Sequence, residues 1–245
     1  LACGDTGKGK FPKEELLVEH VLNEIAREKD MEGLHVLVTA GPTRESIDPV
    51  RYLTNHSSGK MGYAIAKVCR QRGASVTLVS GKTDLAAPVG VDLVPVTTAA
   101  DMFDAVTGRF DRQDIVIKAA AVADYRPAVI SDQKVKKSDS ELSIELERTS
   151  DILAWLGAHK KEHQTLCGFA METEHMAENA RAKLVKKNLD MIAANNVKVD
   201  GAGFGTDTNV VTMITADSEQ ELEIMSKEDV AVHLIDELLR LRSRN

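Results

Sequence analysis

The sequence has few cysteines and no long hydrophobic run. Its three cysteines, Cys3, Cys69 and Cys167, lie far apart among 245 residues and form no C-x-x-C pair. This pattern is typical of reduced thiols in a cytoplasmic protein and disfavours a disulfide framework or a zinc cluster. No apolar stretch approaches the ~18 residues that a membrane span requires, and no signal peptide is visible. We therefore expect no membrane partner.

An excess of positive charge is also missing. The net charge is −7, which disfavours a general nucleic-acid partner because phosphate neutralisation needs clustered positive charge. Hydrophobic residues make up 43% and charged residues 28% of the chain, as expected for a globular protein. The length allows one large domain or two small ones.

The Walker A fingerprint is absent, although TNHSSGKMG (54–62) superficially resembles it. A Walker A loop requires glycine five positions before its Gly-Lys pair and serine or threonine directly after that pair. These positions hold Thr54 and Met61. The stretch therefore lacks the hydroxyl that would bind magnesium in such a loop.

The dinucleotide fingerprint is absent as well. It requires G-x-G-x-x-G after the first strand and an acidic residue at the end of the second strand. The chain instead has Gly41, a long insertion, and then Gly59 and Gly62, and its second strand ends in Ser80-Gly81. A nicotinamide-dependent reductase remains the main rival hypothesis.

Short apolar runs alternate with amphipathic helical patterns along the chain. Strands are predicted at 34–40, 74–80, 91–96, 114–124, 141–147, 165–170, 189–193, 209–215 and 220–225. Helices are predicted within 1–33 and at 58–72, 99–108, 150–160, 175–188 and 226–242. This alternation predicts an α/β fold whose mostly parallel sheet has helices on both faces, with a small β-hairpin near the C-terminus. We interpret 1–33 as a linker and helix, and 34–245 as the main domain.

Two loops are longer than the roughly 2–6 residues of a typical βα connection. They span 40–58 and 119–137, and each follows a predicted buried strand. Ligands of such sheets bind beyond the carboxyl ends of the strands, where the strand order reverses. The sequence therefore predicts the functional site at these two loops.

The first loop ends in a cluster of polar residues at a predicted helix start. Ser57, Ser58 and Gly59 offer free backbone N–H groups, which suit a phosphate. The alternative is that Ser57 or Ser58 only caps the helix.

Lysines are grouped in two places. The segment KVKKSD (134–139) closes the second loop, and its lysines could neutralise a triphosphate or could form an ordinary solvated charge run. Lys183 and Lys187 are i, i+4 neighbours on a helix face, where solvated side chains are the simpler interpretation.

Five motifs occur in a specific order: VTAGPTRESIDPVRYLTNHSSGKMG, AAAVADYRP, KVKK, GFAMET and KNLDMIAAN. Together they resemble the phosphopantothenate–cysteine ligase family of bacterial bifunctional coenzyme A biosynthesis proteins, from Leu34 to about Arg242. The opening LACGDTGKGK resembles the end of the flavin-dependent decarboxylase half of those proteins.

The resemblance implies a Rossmann-like, dimeric enzyme that joins 4′-phosphopantothenate to cysteine. CTP would activate the carboxylate as an acyl-cytidylate with release of pyrophosphate, and the cysteine amine would then displace CMP. Mg²⁺ would assist, and FMN is expected only on the decarboxylase half, the other partner of this domain.

The resemblance also implies roles for individual residues. Asn55 and Lys134 would be catalytic, and the substrate would contact Asn55, Ser57, Ser58 and Gly59. The implied nucleotide-binding residues are Lys118, Ala119, Ala120, Asp124, Lys134, Ser150, Asp151, Ile152, Leu153, Phe169, Lys183 and Lys187. The chain departs from the family pattern at Thr149-Ser150 and at Lys118, and the metal ligands are not implied by the motifs. A non-catalytic nucleotide-binding module is the second alternative.

Overall fold

The computed structural model describes residues 11–136, 143–172, 176–196, 203 and 205–243. Its helices are α1 (Glu14–Ile25), α2 (Lys60–Gln71), α3 (Ala99–Thr107), α4 (Ile152–His159), α5 (Met176–Lys186) and α6 (Lys227–Arg242), with a 3₁₀ turn at Phe110–Arg112. The strands are β1 (His35–Ala40), β2 (Arg44–Ser46), β3 (Tyr52–Thr54), β4 (Ser75–Ser80), β5 (Asp92–Pro95), β6 (Ile115–Lys118), β7 (Tyr125–Pro127), β8 (Leu146–Arg148), β9 (Thr165–Glu172), β10 (Met191–Asn196), β11 (Thr208–Asn209), β12 (Val211–Thr215), β13 (Glu219–Glu221) and β14 (Met225–Ser226). Across these ranges, no helix has the length and apolar character needed to traverse a membrane.

Eight strands form the central sheet, in the order β13-β12-β10-β9-β6-β1-β4-β5. The strands from β10 to β5 are parallel, and β12 and β13 add an antiparallel hairpin at one edge. This confirms the predicted α/β fold and its C-terminal hairpin. After β1 the chain continues to β4 and β5 on one side, and it then returns to β6, β9 and β10 on the other. The order therefore reverses between β1 and β6, which creates a crevice at their carboxyl ends.

The core has two layers because alternate residues of a strand point to opposite faces of the sheet. Val36 and Val38 of β1 pack with α2 and α6, whereas Leu37 packs with α3, α4 and α5. All three side chains are fully buried. Burial of each such aliphatic side chain contributes about 1.5–3 kcal/mol. The parallel strands are thus covered on both faces, as their continuous apolar pattern predicts.

Two helix starts follow directly from sequence signals. The Thr98 side chain accepts a hydrogen bond from the Asp101 N–H, and the Asp101 side chain accepts from the Thr98 N–H, which forms a capping box at the start of α3. Ser226 caps α6 by accepting from the Asp229 N–H at 3.1 Å.

Several short strands differ from the prediction. The first long loop contains the hairpin β2–β3, and the second contains β7, which pairs with β8. The predicted strand at 141–147 is thus replaced by β8 within the described residues, and 137–142 lie outside them. The predicted strand at 209–215 is interrupted at Val210, because Asn209 pairs with Met225 while β12 pairs with β13.

Helix α1 packs against the main domain. The Asn23 side-chain amide donates to the Val89 carbonyl at 2.9 Å, and the Val89 N–H donates to Glu19 at 2.8 Å. Its other face remains apolar and exposed, with Val21 and Ile25 at 55% and 73% exposure.

Candidate functional site

A cleft of about 160 Å³ lies at the carboxyl ends of β1, β6, β9 and β10, beside the start of α2. It is lined by Ser57, Ser58, Gly59, Lys60, Met61, Gly62, Ala119, Ala120, Ala121, Phe169, Ala170, Met171, Asn195, Gly203, Asn209 and Lys227. The two long loops selected from the sequence both contribute to it. Of the implied site residues, Ser57, Ser58, Gly59, Ala119, Ala120 and Phe169 line this cleft.

The two loops are joined by backbone hydrogen bonds at the point where the strand order reverses. The Ala121 N–H donates to the Gly41 carbonyl at 3.0 Å, and the Thr43 N–H donates to the Ala121 carbonyl at 3.2 Å. The Thr43 hydroxyl then accepts from the Ala123 N–H at 2.9 Å. These bonds fix the backbone of both loops, so the cleft floor is preorganised.

The start of α2 is built around glycine. Gly59 occupies the N-cap position with φ of 79°, and no side chain caps this helix. A Cβ on Gly62 would lie 2.6 Å from the Ala40 Cβ, so only glycine allows α2 to approach β1 this closely. The Ser57 and Ser58 hydroxyls lie 3.4 and 3.5 Å from the N–H groups of Gly59 and Lys60. Such long contacts are weak, so neither serine acts as a strong cap. The N–H groups of the first turn are therefore well placed for an anion.

Asn55 directly follows β3 and does not itself line the cleft, but it is hydrogen-bonded to Ala121, which does. The Asn55 amide Nδ2 donates to the Ala121 carbonyl at 3.3 Å, and the side chain is exposed. A side-chain amide has two N–H donors. One of them orients Asn55 against the second loop, and the other has no hydrogen-bond partner among the described residues, so its geometry would suit a ligand.

A group of charged side chains lies beyond the end of β6. Burial lowers the pKa of Lys118, and the nearby Lys187 and Lys183 lower it further, while Asp151 and Asp124 act in the opposite direction. Lys187 forms an ion pair with Asp151 at 2.7 Å. The structure thus brings together five of the implied nucleotide-binding residues, and they include three lysines that suit a polyphosphate.

The start of α4 adjoins this charged group. The Thr149 hydroxyl donates to the Ala123 carbonyl at 2.6 Å, and the Thr149 N–H donates to the Asp124 carbonyl at 3.0 Å. Ile152 and Leu153 are buried in the core. Their side chains therefore pack against the protein, and any contact they make with a nucleotide would come from the backbone, whereas Ser150 is exposed.

Lys134 is exposed and does not line the cleft. Lys136 is exposed too, and Lys137 lies outside the described residues. The segment is nevertheless held in place, because Val135 between the two exposed lysines is bound to Asp48 of the first loop. The hydrogen bond from the Arg51 guanidinium makes the largest contribution to holding the pKa of Asp48 well below its usual range, and several backbone N–H groups add to the effect.

Four polar residues of the cleft were not predicted from the sequence. Lys60 donates to Asp207 at 2.7 Å, Lys227 donates to the Gly203 carbonyl at 2.9 Å, and the Asn209 amide donates to Asn195 at 3.0 Å. Burial is the first cause that lowers the pKa of Lys227, and Lys60 adds to it. These residues come from distant parts of the chain, and only the fold brings them together. The Gly-Lys pair at the start of α2 was the one local signal.

The described residues contain no group of three or more histidine, cysteine, aspartate or glutamate side chains arranged to hold a metal. Mg²⁺ is usually held by one or two carboxylates together with substrate phosphates and water. The donor set at the charged group, where Asp124 and Asp151 lie near lysines, fits a Mg²⁺ ion that arrives on a triphosphate.

The fold and the cleft define a Rossmann-like α/β protein with a crevice at the carboxyl ends of its parallel strands. Residues 31–241 match the sequence model of a protein family, the DNA/pantothenate metabolism flavoprotein C-terminal domain. The chain belongs to this family.

Similar proteins share most of this chain. The coenzyme A biosynthesis bifunctional protein CoaBC of Bacillus subtilis is 51% identical and that of Escherichia coli 42% identical, over 98% and 97% of this chain. The chain spans 60% of the first relative's length and 59% of the second's. A crystal structure of the C-terminal domain of a CoaBC protein is 44% identical, with a TM-score of 0.76 over 88% of this chain and 98% of that one.

Proposed function

We propose that this chain is a phosphopantothenate–cysteine ligase of coenzyme A biosynthesis that uses CTP. The observation that carries the proposal is the convergence of three features at one sheet edge: an uncapped helix start, the Asn55 amide and a group of lysines. Membership of the family supports it, as do relatives described as coenzyme A biosynthesis proteins. A solved structure of the same fold, 15% identical, is described as a Cab2 mutant in complex with phosphopantothenate-cysteine, which fits this choice of ligand.

In the first half-reaction, a carboxylate oxygen of 4′-phosphopantothenate attacks the α-phosphorus of CTP. The bond between the α-phosphorus and the bridging oxygen breaks, and pyrophosphate leaves. Negative charge builds on the departing group, so lysines aimed at it lower the barrier. We assign this work to Lys134, Lys183 and Lys187, with Lys118 at the end of β6. Mg²⁺ supplies further neutralisation of the phosphates when bound.

In the second half-reaction, the cysteine amine attacks the acyl carbon. The carbon–oxygen bond to cytidylate breaks, CMP leaves with that oxygen, and the amine proton passes to solvent. The carbonyl oxygen carries negative charge in the transition state. The second N–H of Asn55 would stabilise that charge, because the Ala121 carbonyl already orients the amide.

The substrate phosphate would bind at the start of α2, at Ser57, Ser58 and Gly59. Positive helix-end charge and first-turn N–H groups favour an anion there. A Gly-Lys loop without Walker A residues is compatible with this role, because attack at the α-phosphate does not need the machinery built for γ-phosphoryl transfer.

Two further parts of the proposal concern assembly. We infer that residues 1–33 link the ligase domain at 34–245 to an FMN-dependent decarboxylase half, since the relatives are longer and bifunctional.

We also infer a homodimer. Tyr52 and Tyr125, each about half exposed, put aromatic surface on the adjacent hairpins β2–β3 and β7–β8, and a two-fold contact would bury it. Sedimentation at two protein concentrations tests the dimer.

A cytoplasmic location follows from the same reasoning about thiols. Cys69 and Cys167 are free and buried, and burial raises the pKa of Cys69 to about 12. Such thiols resist oxidation and suit a reducing compartment.

The test is a pyrophosphate-release assay in which each substrate is omitted in turn. We expect release that needs phosphopantothenate and a nucleoside triphosphate, and CMP together with the amide only when cysteine is added. A nicotinamide-dependent reductase would instead show a thermal shift with NADPH and no pyrophosphate. A non-catalytic module would bind CTP but release neither pyrophosphate nor CMP.

A further inference from the structure

The turn between β2 and β3 contains a buried carboxylate that the chemistry above does not use. Asp48 is 3% exposed. One of its oxygens accepts from the N–H groups of Val50 and Arg51 at 2.9 and 2.8 Å. The other accepts from Arg51 Nε at 3.0 Å and from the Val135 N–H at 3.1 Å. Because its charge is fully compensated by donors, this carboxylate can remain ionised inside the protein.

The contact with Val135 reaches across 87 positions to the basic segment. Val135 is held at both of its backbone polar groups, since Arg51 Nη2 also donates to its carbonyl at 3.1 Å. A third bond, from the Ser131 N–H to the Ile47 carbonyl at 3.0 Å, holds the residues just before the basic segment against the same turn. Lys134 directly precedes this anchored residue. Without the turn, its segment would be a solvated loop with many accessible conformations.

The same turn also leads to Asn55. Ile47 and Arg51 close the turn by a 2.8 Å backbone bond, and Thr54 of β3 pairs with Arg44 of β2. Asn55 follows Thr54 at once. The turn therefore connects Lys134, which is assigned to the departure of pyrophosphate, with Asn55, which is assigned to the acyl carbon.

We propose that Asp48 is a positioning residue, which acts through Val135 to hold Lys134 where pyrophosphate departs. The inference rests on the proposed function, because Lys134 acts only if that reaction occurs. Asp48 makes no contact with the substrate. Its effect is to hold the segment around Lys134 against the first long loop, so that the Lys134 charge is in place before CTP binds. Misplacement of a catalytic group by about 1 Å can cost on the order of a hundredfold in rate.

Asp48→Asn tests the proposal, because it keeps the shape and removes the charge. We expect kcat/KM for CTP in pyrophosphate release to fall roughly ten- to hundredfold. The matched control is Asp30→Asn. Asp30 also accepts two hydrogen bonds from one arginine, Arg72, but this pair lies near the amino ends of β1 and β4, away from the cleft. The control should release pyrophosphate like the wild type. Equal losses in the two variants would mean that breaking any such pair harms the enzyme, and the proposal would be overturned.

A double-mutant cycle separates positioning from general damage. If Asp48 acts through Lys134, adding Asp48→Asn to Lys134→Gln should change pyrophosphate release by no more than about twofold. Losses that multiply would contradict the proposal.

Trypsin provides a measurement that does not depend on the reaction. Cleavage after Lys134 and Lys136, followed by mass spectrometry, should be faster in Asp48→Asn than in Asp30→Asn. Unchanged cleavage would overturn the anchoring itself. A wild-type protein that releases no pyrophosphate, but shows the expected cleavage pattern, would identify a failure of the proposed function and, with it, of the catalytic part of this inference.

Discussion

At the scale of single residues, the site is a set of donors and cations placed before the ligand arrives. Asn55 uses one N–H to hold its own position against Ala121. Burial lowers the pKa of Lys118, so a positive charge there is weakly solvated and would interact strongly with a bound phosphate. In the proposed reaction each of these side chains acts in a particular step, so single substitutions should affect the half-reactions unequally.

Asn55→Asp should separate the two half-reactions. The first builds little charge on the carbonyl oxygen, whereas the second makes it an oxyanion, and loss of a comparable donor costs about 2.7–4 kcal/mol. The variant replaces the donor with a negative acceptor of the same shape, so we expect the acyl-cytidylate to form and then accumulate. Quenched samples resolved by mass would show it. If pyrophosphate release and amide formation instead declined together, with no intermediate, Asn55 would only bind substrate.

Lys134→Gln should slow the first half-reaction. In the proposed reaction Lys134 is a cation beside departing pyrophosphate, and its removal should cost on the order of 2–4 kcal/mol of transition-state stabilisation. Lys161→Gln is the control, since Lys161 pairs with Asp111 at the surface at 2.8 Å, away from the cleft. Stopped-flow detection of pyrophosphate measures both. Identical rates in the two variants would return KVKK to the status of a solvated charge run.

At the scale of elements, the sequence was informative wherever a local signal fixed the structure. Continuous apolar runs predicted β1, β4 and β6, and the start of α3 carries a local sequence signal, the capping box of Thr98 and Asp101. The short hairpins were missed because three-residue strands leave almost no periodic pattern, and β7 pairs with β8 across a long intervening segment. For the same reason sequence alone could not reveal that Asp48 binds Val135.

Gly62→Ala tests the contact between α2 and β1. The added Cβ would lie 2.6 Å from the Ala40 Cβ and 2.9 Å from the Thr39 carbonyl oxygen, so the helix must shift. We expect a loss of about 1–3 kcal/mol, or roughly 2–4 °C in Tm for each kcal/mol. Gly205→Ala is the control, because its Cβ would meet nothing within 4 Å. Thermal unfolding of both variants gives the comparison, and an unchanged Tm in Gly62→Ala would show that the helix does not need this close approach.

At the scale of the whole molecule, one topological feature organises the function. The order of the strands reverses between β1 and β6, and both long loops leave the sheet there. The residues that line the cleft come from β9, β10 and α6 as well, so the site exists only in the folded protein. Sequence patterns could predict the edge at which it lies. They could not predict Lys227 as a lining residue, because nothing local distinguishes it from a surface lysine, and for Lys60 the Gly-Lys pair was the one local signal.

Nucleotide preference is a property of this whole assembly. We expect CTP to support amide formation about tenfold better than ATP or more, which corresponds to about 1.4 kcal/mol of transition-state discrimination. The family motifs around Ala119, Asp124 and Phe169 motivate this expectation. Values of kcat/KM for the two nucleotides, measured with the same enzyme, decide it, and equal values would contradict it.

The transfer of oxygen from the substrate carboxylate to CMP is the sharpest test of the proposed ligase reaction. Phosphopantothenate whose carboxylate carries oxygen-18 is turned over with CTP and cysteine, and the CMP is analysed by mass spectrometry. In the proposed reaction a carboxylate oxygen bonds to the α-phosphorus and stays there when the carbon–oxygen bond breaks. When both carboxylate oxygens carry the label, one labelled oxygen is therefore expected in CMP for each amide formed. Amide formation with unlabelled CMP, or with the label in pyrophosphate, would contradict the proposed reaction.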